Sequence, residues 1–407
     1  MKVPPAVYLC MSVRTAVVLA AGEGTRLRPL TRNRPKPMLP AANRPILEYV
    51  FDALIDAGIS RIVAVVGYKR DRVKDHFGPT YRDVPVSYVT QEKQLGSGHA
   101  LLQARSVVDG PVLVVNGDRL IDGATVASVV DHFEEDQDTP ALAVIERADA
   151  QRYGAVDLRD GDLVSIVEKP DSNQYRLING GIYAFPETIF GAIDETPRSD
   201  GELALTDTIA RLIERGRVRA IMTDGMWVDA TYPWDLLAVA REVLARGRVV
   251  EDEQTDGVWV DDSATVHEDA TLQGPVVVGP DCEVGPNAVV GSNTALGDNV
   301  TVGANVTVRN SVLDVDARVD AGSTLIDAVV GQDTTLGANT TIPGGPADVQ
   351  VGTDVYEDQR LGAVLADRVT ARGNVSLSPG TLVGPKATLH SGVHAYGHVG
   401  EGVEVVR

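Results

Sequence analysis

A six-residue repeat of aliphatic side chains constrains the fold of this 407-residue chain more than any other feature. Small or polar residues separate the aliphatics, and Gly follows several of them. The repeat comprises Val260, Val266, Leu272, Val278, Val284, Val290, Leu296, Val302 and Val308, resumes at Val330, Leu336 and Ile342, and returns at Leu377, Val383 and Leu389. One aliphatic in six is typical of a parallel β-helix, where the aliphatics stack into an internal ladder. We therefore predict a β-helix over residues 257–407.

The repeat is interrupted at residues 343–360 by Pro, Gly and acidic residues. This composition predicts a loop extruded from the β-helix. Such loops often line a functional site, but a solvated excursion is an equally good interpretation of the sequence.

The first part of the chain has a different pattern. Apolar runs at 16–20, 61–66, 86–89 and 112–115 predict buried strands, and amphipathic stretches at 45–57, 70–76 and 98–107 predict helices. This alternation predicts an α/β, Rossmann-like doubly wound and mostly parallel sheet, which binds ligands beyond the carboxyl ends of its strands. The predicted division is a tail at 1–12, a first domain at 13–245, an acidic linker at 246–256 and the β-helix at 257–407. Met11 is a plausible alternative start.

Composition limits the function classes. The 57 acidic residues exceed the 37 basic ones and give a formal net charge of −20, which argues against a nucleic-acid-binding surface. Only seven basic residues are Lys, and this acidic, Lys-poor composition favours a high-salt, halophilic cytoplasm. The chain has two cysteines, no apolar run near the ~20 residues that span a bilayer, and no convincing signal peptide. We expect a cytoplasmic protein that binds neither membranes nor nucleic acid.

A glycine-rich turn follows the first predicted strand. It reads Leu19-Ala20-Ala21-Gly22-Glu23-Gly24-Thr25-Arg26-Leu27, and Arg34-Pro35-Lys36-Pro37-Met38 comes shortly after. Glycines let backbone N–H groups approach a polyphosphate, and Arg26 and Lys36 supply positive charge. The turn is neither a Gly-x-Gly-x-x-Gly motif nor a Walker loop.

Two carboxylates end predicted strands, in Asn116-Gly117-Asp118 and in Trp227-Val228-Asp229. Magnesium prefers one or two carboxylates together with phosphate oxygens and water, so this pair fits a metal-bridged nucleotide. Taken singly, each Asp is more often a strand-end cap.

These motifs, in this order up to about residue 245, resemble the sugar-1-phosphate nucleotidyltransferases. The resemblance implies that Asp118 and Asp229 bind Mg²⁺. The segment Gln91-Glu92-Lys93-Gln94-Leu95-Gly96-Ser97-Gly98-His99-Ala100 looks like the base-recognition segment of the uridylyltransferase branch. The implied nucleotide-binding residues are Leu19, Ala20, Ala21, Gly22, Gly24, Thr25, Gln91, Gly96, Ser97, Asn116 and Gly117. For His99 we prefer a helix N-terminal histidine without a catalytic task.

Three further motifs resemble the sugar pocket of the same family. They are Tyr153-Gly154, Glu168-Lys169-Pro170 and Asn179-Gly180-Gly181-Ile182-Tyr183. By this resemblance Gly154, Glu168 and Asn179 bind the sugar, and Lys169 binds its phosphate. The alternative for Glu168 and Lys169 is a surface ion pair of little energetic value.

The expected reaction is an in-line, Mg-dependent transfer of a nucleotidyl group from UTP or dTTP to a hexose- or N-acetylhexosamine-1-phosphate, with release of pyrophosphate. Such chemistry needs positioning and charge stabilisation, which Arg26 and Lys36 would supply as catalytic residues. A different possibility is a catalytically silent regulatory or scaffold subunit. Silent copies typically lose the charged residues of the first loop or a metal-binding Asp. Here Arg26, Lys36, Asp118 and Asp229 are all present.

A nucleotidyltransferase followed by a left-handed β-helix resembles two groups. One is the bifunctional N-acetylglucosamine-1-phosphate uridyltransferase/glucosamine-1-phosphate acetyltransferase with its archaeal relatives; in the other, the β-helix only assembles or regulates. The catalytic His of the acetyltransferase aligns with Ala321, which cannot act as a base, so we expect acetyl transfer to be lost or severely weakened. His390, His394 and His398 are interpreted as solvated surface. The flat flanks of a β-helix favour a homo-oligomer, and we expect a trimer.

Overall fold

A computed structural model describes residues 13–172, 174–199 and 201–406. The predicted tail at 1–12, with Met11, lies outside these residues. The chain divides into two compact units that interleave along the sequence. Of the described residues, the α/β unit comprises 13–22 and Leu47–Trp227, and the β-helix unit comprises Glu23–Ile46 and 228–406. The predicted linear division at 245 and 257 stays a prediction. One boundary between the compact units falls inside the glycine-rich turn, after Gly22.

The α/β unit is built on a ten-stranded sheet. Its strands in chain order are β1 (Thr15–Ala20), β2 (Arg61–Val66), β3 (Thr80–Tyr81), β4 (Val84–Thr90), β5 (Val112–Asn116), β6 (Ala141–Glu146), β7 (Gly154–Arg159), β8 (Asp162–Glu168), β9 (Leu177–Phe185) and β10 (Arg219–Thr223). Their spatial order is β7-β8-β10-β6-β9-β5-β1-β2-β4-β3. Strand β1 pairs in parallel with β2 and β5, whereas β9 runs antiparallel to β5 and β6. The central strands are apolar along their length because both faces of the sheet are covered.

Helices connect these strands. They are α1 (Ile46–Asp56), α2 (Arg70–Phe77), α3 (Ser97–Leu102), α4 (Gly123–Glu135), α5 (Ile189–Asp194) and α6 (Leu205–Arg215). Helix α4 begins after Asp122, whose Oδ1 accepts a hydrogen bond from Thr125 N at 2.8 Å, as an N-cap does. The predicted α/β fold is confirmed. The predicted helix at 98–107 is shorter, because α3 ends at Leu102 and a 3₁₀ turn, Arg105–Val107, follows it.

The β-helix unit contains three stacked sheets. The first sheet holds Glu253–Thr255, Val258–Val260, Val276–Val278, Thr294–Leu296, Val312–Leu313, Ala328–Val330, Ala363–Leu365, Thr381–Val383 and His398–Val399. The second holds Thr265–Val266, Glu283–Val284, Thr301–Val302, Arg318–Val319, Thr335–Leu336, Thr370–Ala371, Thr388–Leu389 and Glu404–Val405. The third holds Thr271–Leu272, Val289–Val290, Thr307–Arg309, Thr324–Ile326, Thr341–Ile342, Ser376–Leu377 and His394–Ala395. Apart from the first strand of the first sheet, pairing is parallel, as in a left-handed β-helix.

The hexapeptide aliphatics form the predicted internal ladder, which is almost fully buried from Val276 onward. The slip after Val308 has a local cause, because the coil shortens at one corner and Leu296 then pairs with Leu313. Asn310 and Asp327 occupy successive shortened corners with φ of 46° and 54°, a left-handed conformation that Asn and Asp tolerate. Asn310 Nδ2 donates to Asp327 Oδ1 at 2.5 Å, which closes both corners without breaking the ladder.

The interruption at 343–360 is confirmed as an excursion, and it is a β-hairpin. Its strands are Ala347–Val351 and Asp354–Gln359, paired antiparallel. The β-helix unit also contains helix α7 (Asp235–Ala245) and a short hairpin of Pro40–Ala41 with Arg44–Pro45. Within the described ranges, no helix combines the length and apolar character needed to cross a membrane.

Candidate active site

The predicted site residues fall into two groups, one in each compact unit, and each group is described by itself. In the β-helix unit the glycine-rich turn requires Gly24. Its φ is +69°, and a Cβ at this position would lie 2.8 Å from the Cβ of Lys36. The carbonyl of Gly24 accepts hydrogen bonds from Thr31 Oγ1 at 2.8 Å and from Leu27 N at 3.0 Å. The glycine thus lets the turn fold back onto the segment that carries Lys36.

Lys36 contacts one of the two predicted metal ligands. Its Nζ lies 2.7 Å from Oδ1 of Asp229, and the side chains are 11% and 7% exposed. Thr231 Oγ1 donates to the other oxygen, Oδ2, at 2.8 Å. A short 3₁₀ turn, Lys36–Met38, sets the direction of the ammonium. The ion pair fixes a predicted phosphate-binding cation beside a predicted metal-binding carboxylate.

Arg34 anchors the same segment in the β-helix coils. Its Nη1 lies 2.5 Å from Asp314 Oδ2 and its Nη2 lies 3.0 Å from Asp367 Oδ1, and all three side chains are at most 7% exposed. Burial lowers the pKa of Arg34, but the charges of Asp314 and Asp367 outweigh burial and raise it overall. The cationic segment is therefore held by a buried three-membered ion cluster that the sequence did not predict.

Arg26 is exposed and faces an aromatic ring. Its guanidinium carbon lies 5.8 Å from the centroid of the Tyr232 ring, within the range of a cation–π interaction. Thr25 beside it is also exposed. The structure thus leaves the predicted catalytic guanidinium accessible to a ligand.

In the α/β unit the predicted base-recognition residues lie together. Gln91 is 5% exposed, and its Nε2 lies 3.1 Å from Gly96 O and 2.9 Å from His99 Nδ1. Gln94 Nε2 donates to Ala21 O at 3.0 Å, which ties this segment to the end of the first strand. Burial, followed by the charge of Arg198, lowers the pKa of His99, so its ring is neutral and Nδ1 can accept from Gln91. His99 thus holds the amide of Gln91, a contact that the sequence interpretation did not foresee.

Leu203 packs against the same segment through its backbone. Its carbonyl accepts from Gly98 N at 2.9 Å, and its N–H donates to Leu95 O at 2.8 Å. A Cβ on Gly96 would lie 2.5 Å from the Leu203 carbonyl oxygen, so only glycine fits there. Ser97 Oγ accepts from Leu205 N at 2.9 Å and begins α3. The sequence interpretation did not include Leu203.

Asp118 follows the end of β5 and is half-buried. The turn before it is tight, because Gly117 N donates to Leu19 O at 3.0 Å and a Cβ on Gly117 would lie 2.9 Å from Val18 Cγ1. Asn116 lies beside Gly181, where a Cβ would approach its Nδ2 to 2.6 Å. The predicted nucleotide-binding residues of β1 and β5 are thus neighbours in the sheet.

The predicted sugar-binding residues also lie together. A Cβ on Gly154 would lie 3.2 Å from Glu168 Oε2 and 3.7 Å from the Cβ of Asn179. Asn179 is buried; its Nδ2 donates to Tyr183 Oη at 2.7 Å and its Oδ1 accepts from Gly181 N at 2.9 Å. Lys169 differs from these, because its side chain is 57% exposed and lies 3.7 Å from Glu168, as in the surface-pair alternative.

Arg119 and Trp227 complete this region and were missed by the sequence interpretation. The guanidinium carbon of Arg119 lies 5.1 Å from the Trp227 ring centroid and 5.8 Å from that of Tyr153. The two rings meet edge to face at 5.2 Å. Trp227 Nε1 donates to Gly180 O at 2.8 Å. Arg119 directly follows Asp118 in the sequence, and that adjacency was the available signal.

The two predicted metal ligands, Asp118 and Asp229, belong to different compact units, so each is described by itself. A carboxylate is a ligand that Mg²⁺ accepts beside phosphate oxygens and water, and the hydrogen bonds to Asp229 order its carboxylate. Over the described residues, no group of three or more His, Cys, Asp or Glu side chains is arranged to hold a metal ion.

Of the β-helix positions considered for other chemistry, Ala321, His394 and His398 are exposed, whereas His390 is half-buried with its Nε2 3.2 Å from Glu404 Oε2. Ala321, at the position of the acetyltransferase histidine, lies on the surface of a coil. His394 and His398 are exposed and belong to different sheets, and His394 contacts Ser376 and Ser378 through its two ring nitrogens.

Residues 15–246, more than half of the chain, match the family model described as nucleotidyl transferase. The chain belongs to this family. Residues 272–399 match the model described as GMPPB C-terminal domain.

Individual relatives agree with the family assignment. The bifunctional protein GlmU of Methanococcus maripaludis is 35% identical over 56% of this chain and 54% of its own length, so the chain spans about half of that relative. The UTP--glucose-1-phosphate uridylyltransferase AglF of Haloferax volcanii is 39% identical over 54% of this chain and 92% of its own length. Among solved structures, a UDP-glucose pyrophosphorylase from Acinetobacter baumannii superposes with a TM-score of 0.53 and 26% identity, covering 57% of this chain and 94% of that protein.

Proposed function

We propose that this protein is a sugar-1-phosphate nucleotidyltransferase that transfers a nucleotidyl group from UTP or dTTP to a hexose- or N-acetylhexosamine-1-phosphate and releases pyrophosphate. The 2.7 Å contact between Lys36 Nζ and Asp229 Oδ1 carries the proposal, because it joins the predicted phosphate-binding cation to a predicted metal ligand. Membership of the nucleotidyl transferase family supports the reaction class. The names of AglF and of the pyrophosphorylase support uridine as the base and glucose as one candidate sugar.

The reaction requires charge stabilisation more than a protein nucleophile. An oxygen of the sugar phosphate attacks the α-phosphorus of the triphosphate, and pyrophosphate leaves on the opposite side. Arg26 and Lys36 stabilise the negative charge that grows on the phosphate oxygens. Gly24 lets the turn approach the triphosphate closely, since a side chain there would collide with Lys36.

We propose that Asp118 and Asp229 hold Mg²⁺. When bound, the metal supplies positive charge that neutralises the triphosphate. The ammonium of Lys36 and the hydroxyl of Thr231 each hold one oxygen of Asp229, which keeps its carboxylate ordered.

Gln91 provides the selection for the base. Its Nε2 group is engaged with Gly96 O and His99 Nδ1, so the carbonyl oxygen is the group it offers to a nucleotide. Uracil and thymine carry an N3–H donor that matches this acceptor, whereas cytosine carries an N3 acceptor that would be repelled. UTP and dTTP are therefore the preferred triphosphates, and the cost of an unmatched buried polar group disfavours CTP.

The sugar binds beside Gly154, Glu168 and Asn179 in this proposal. Glu168 offers carboxylate oxygens to sugar hydroxyls, and the missing Cβ of Gly154 provides space for the ring. Lys169 is assigned to the sugar phosphate. Its exposed, flexible side chain suits a group that reaches the substrate only on binding.

The remaining proposals concern the whole protein. We propose a cytoplasmic homo-oligomer, with a trimer built through the β-helix flanks, and residues 13–245 as the nucleotidyltransferase domain. The alanine at position 321 supports loss of acetyl transfer. Light scattering at physiological salt tests the assembly, and a monomer would contradict it.

A substrate panel tests the proposed reaction. Pyrophosphate release is measured with UTP, dTTP and CTP, each against the 1-phosphates of glucose, N-acetylglucosamine and mannose, with and without Mg²⁺. We expect release with UTP or dTTP and at least one sugar phosphate, dependent on Mg²⁺. Silence across the panel from folded protein would favour the alternative of a regulatory subunit.

A further inference from the structure

Three aromatic side chains of the β-helix unit form one cluster. The rings of Tyr232 and Trp234 stack with centroids 4.8 Å apart and an interplanar angle of 10°. Tyr356 closes the cluster from the hairpin, with its centroid 4.5 Å from Tyr232 and 5.4 Å from Trp234. The hydroxyl groups of Tyr232 and Tyr356 are hydrogen-bonded at 2.7 Å. Tyr232 is thereby fixed both by stacking and through its hydroxyl.

The hairpin that carries Tyr356 packs against a neighbouring coil of the β-helix. Val349 is fully buried in it, and Gly380 of a neighbouring coil approaches Ala347 and Val349 so closely that a Cβ on the glycine would lie 2.9 Å from the Cβ of Ala347. Asp348 Oδ1 accepts from Asp358 N at 3.1 Å and links the two strands. The position of Tyr356 is therefore set by the β-helix.

Arg26 lies over the ring that this cluster fixes. Its guanidinium carbon is 5.8 Å from the Tyr232 centroid, although the arginine itself is exposed. An exposed arginine has many rotamers, and the ring selects those that keep its charge near the glycine-rich turn. The hydrogen bond to Tyr232 raises the pKa of Tyr356 to about 12, so the Tyr356 hydroxyl stays protonated at neutral pH and the hydrogen bond persists.

We propose that Tyr356 is a positioning residue for Arg26 and acts through Tyr232. This inference rests on the proposed function, which assigns Arg26 to the charge of the reacting phosphates. Arg26 and Tyr232 lie within the part of the chain that matches the nucleotidyl transferase model, residues 15–246, whereas Tyr356 lies outside it. In this chain the β-helix therefore contributes to the nucleotidyl transfer step as well as to architecture.

A double-mutant cycle on the full-length protein tests the proposal. Pyrophosphate release with UTP and the best sugar phosphate is measured for Tyr356→Ala, Arg26→Ala and the double variant. Loss of the Tyr356 ring should lower kcat about two- to fivefold with a small change in KM, because Tyr232 then holds the exposed Arg26 guanidinium less firmly. In the Arg26→Ala background the same change should have almost no effect, because the group on which Tyr356 acts is gone.

Two matched variants control for structural damage. Tyr356→Phe keeps the ring and loses the hydroxyl, so it should recover most of the lost rate. Val355 lies next to Tyr356 on the hairpin and is 60% exposed, so Val355→Ala should behave as wild type. Thermal unfolding of each variant shows whether the hairpin remains folded.

The outcomes separate this inference from the proposed function. If wild-type protein is silent with every substrate pair, the proposed function fails and the inference fails with it. If the wild type is active but Tyr356→Ala lowers kcat by the same factor with and without Arg26, the effect is structural and only the inference is overturned. An unchanged kcat in Tyr356→Ala overturns it as well.

Discussion

Replacing Arg34 with methionine should destabilise the β-helix unit more than most single substitutions. Arg34 neutralises Asp314 and Asp367 in an environment where all three side chains are at most 7% exposed. Methionine fills a similar volume but leaves two buried carboxylates without their cation. Breaking a buried ion pair by removing one partner costs about 3–5 kcal/mol, and we expect a loss in this range.

A triple variant tests whether the loss of stability in Arg34→Met is electrostatic. The triple variant Arg34→Met, Asp314→Asn, Asp367→Asn removes the uncompensated charges together with the arginine. Because neutral replacement of a whole buried ion cluster is often nearly neutral in stability, the triple variant should recover most of the loss. Arg372→Met is the matched control, since Arg372 is exposed on the same unit and should shift stability by no more than about 0.5 kcal/mol.

Urea unfolding followed by circular dichroism, at one fixed salt concentration, measures these differences. A loss below about 1 kcal/mol for Arg34→Met would show that the cluster does not contribute as argued. A triple variant no more stable than the single one would show that the cost is not electrostatic.

Three further predictions concern the α/β unit and the β-helix surface. Burial, and then the charge of Arg198, lowers the pKa of His99, so the neutral ring that accepts a hydrogen bond from Gln91 persists below pH 6.5. The KM for UTP should therefore stay constant through pH 6.5 and rise only at lower pH. A rise in this KM already at pH 7 would contradict the prediction. Arg119→Lys should raise the KM for the sugar phosphate about tenfold in initial-rate assays, because an ammonium cannot stack on Trp227 as a guanidinium does; an unchanged KM would exclude Arg119 from the pocket. Incubation with acetyl-CoA and glucosamine-1-phosphate should give no robust acetylation, because Ala321 cannot serve as a base.

Much of the fold could be predicted from local patterns. Strand β2 was predicted residue for residue, and the hexapeptide ladder occupies the predicted positions, because both depend on side-chain periodicity alone. The shortened corners at Asn310 and Asp327 could not be predicted, since a missing residue in one hexad looks the same in sequence as the end of the repeat. The conformation of the hairpin also required the structure.

The candidate site was predictable where the residues belong to one contiguous motif. The contact between Lys36 and Asp229 joins positions far apart in sequence, and the motifs indicated each residue but not their ion pair. Arg34 and Tyr356 were missed for a different reason. Their partners lie in the β-helix unit and are brought close only by tertiary packing, which leaves no periodic or local signal.

The rate of pyrophosphate release by wild-type protein and by Lys36→Met, with UTP, Mg²⁺ and the best sugar phosphate, tests the central claim most directly. Lys69→Met is the control, because Lys69 is also a lysine but is exposed on the α/β unit. We predict wild-type turnover, a fall of about 10²–10³ in kcat for Lys36→Met, and a change of less than about twofold for Lys69→Met. Near-full turnover by folded Lys36→Met would contradict the account.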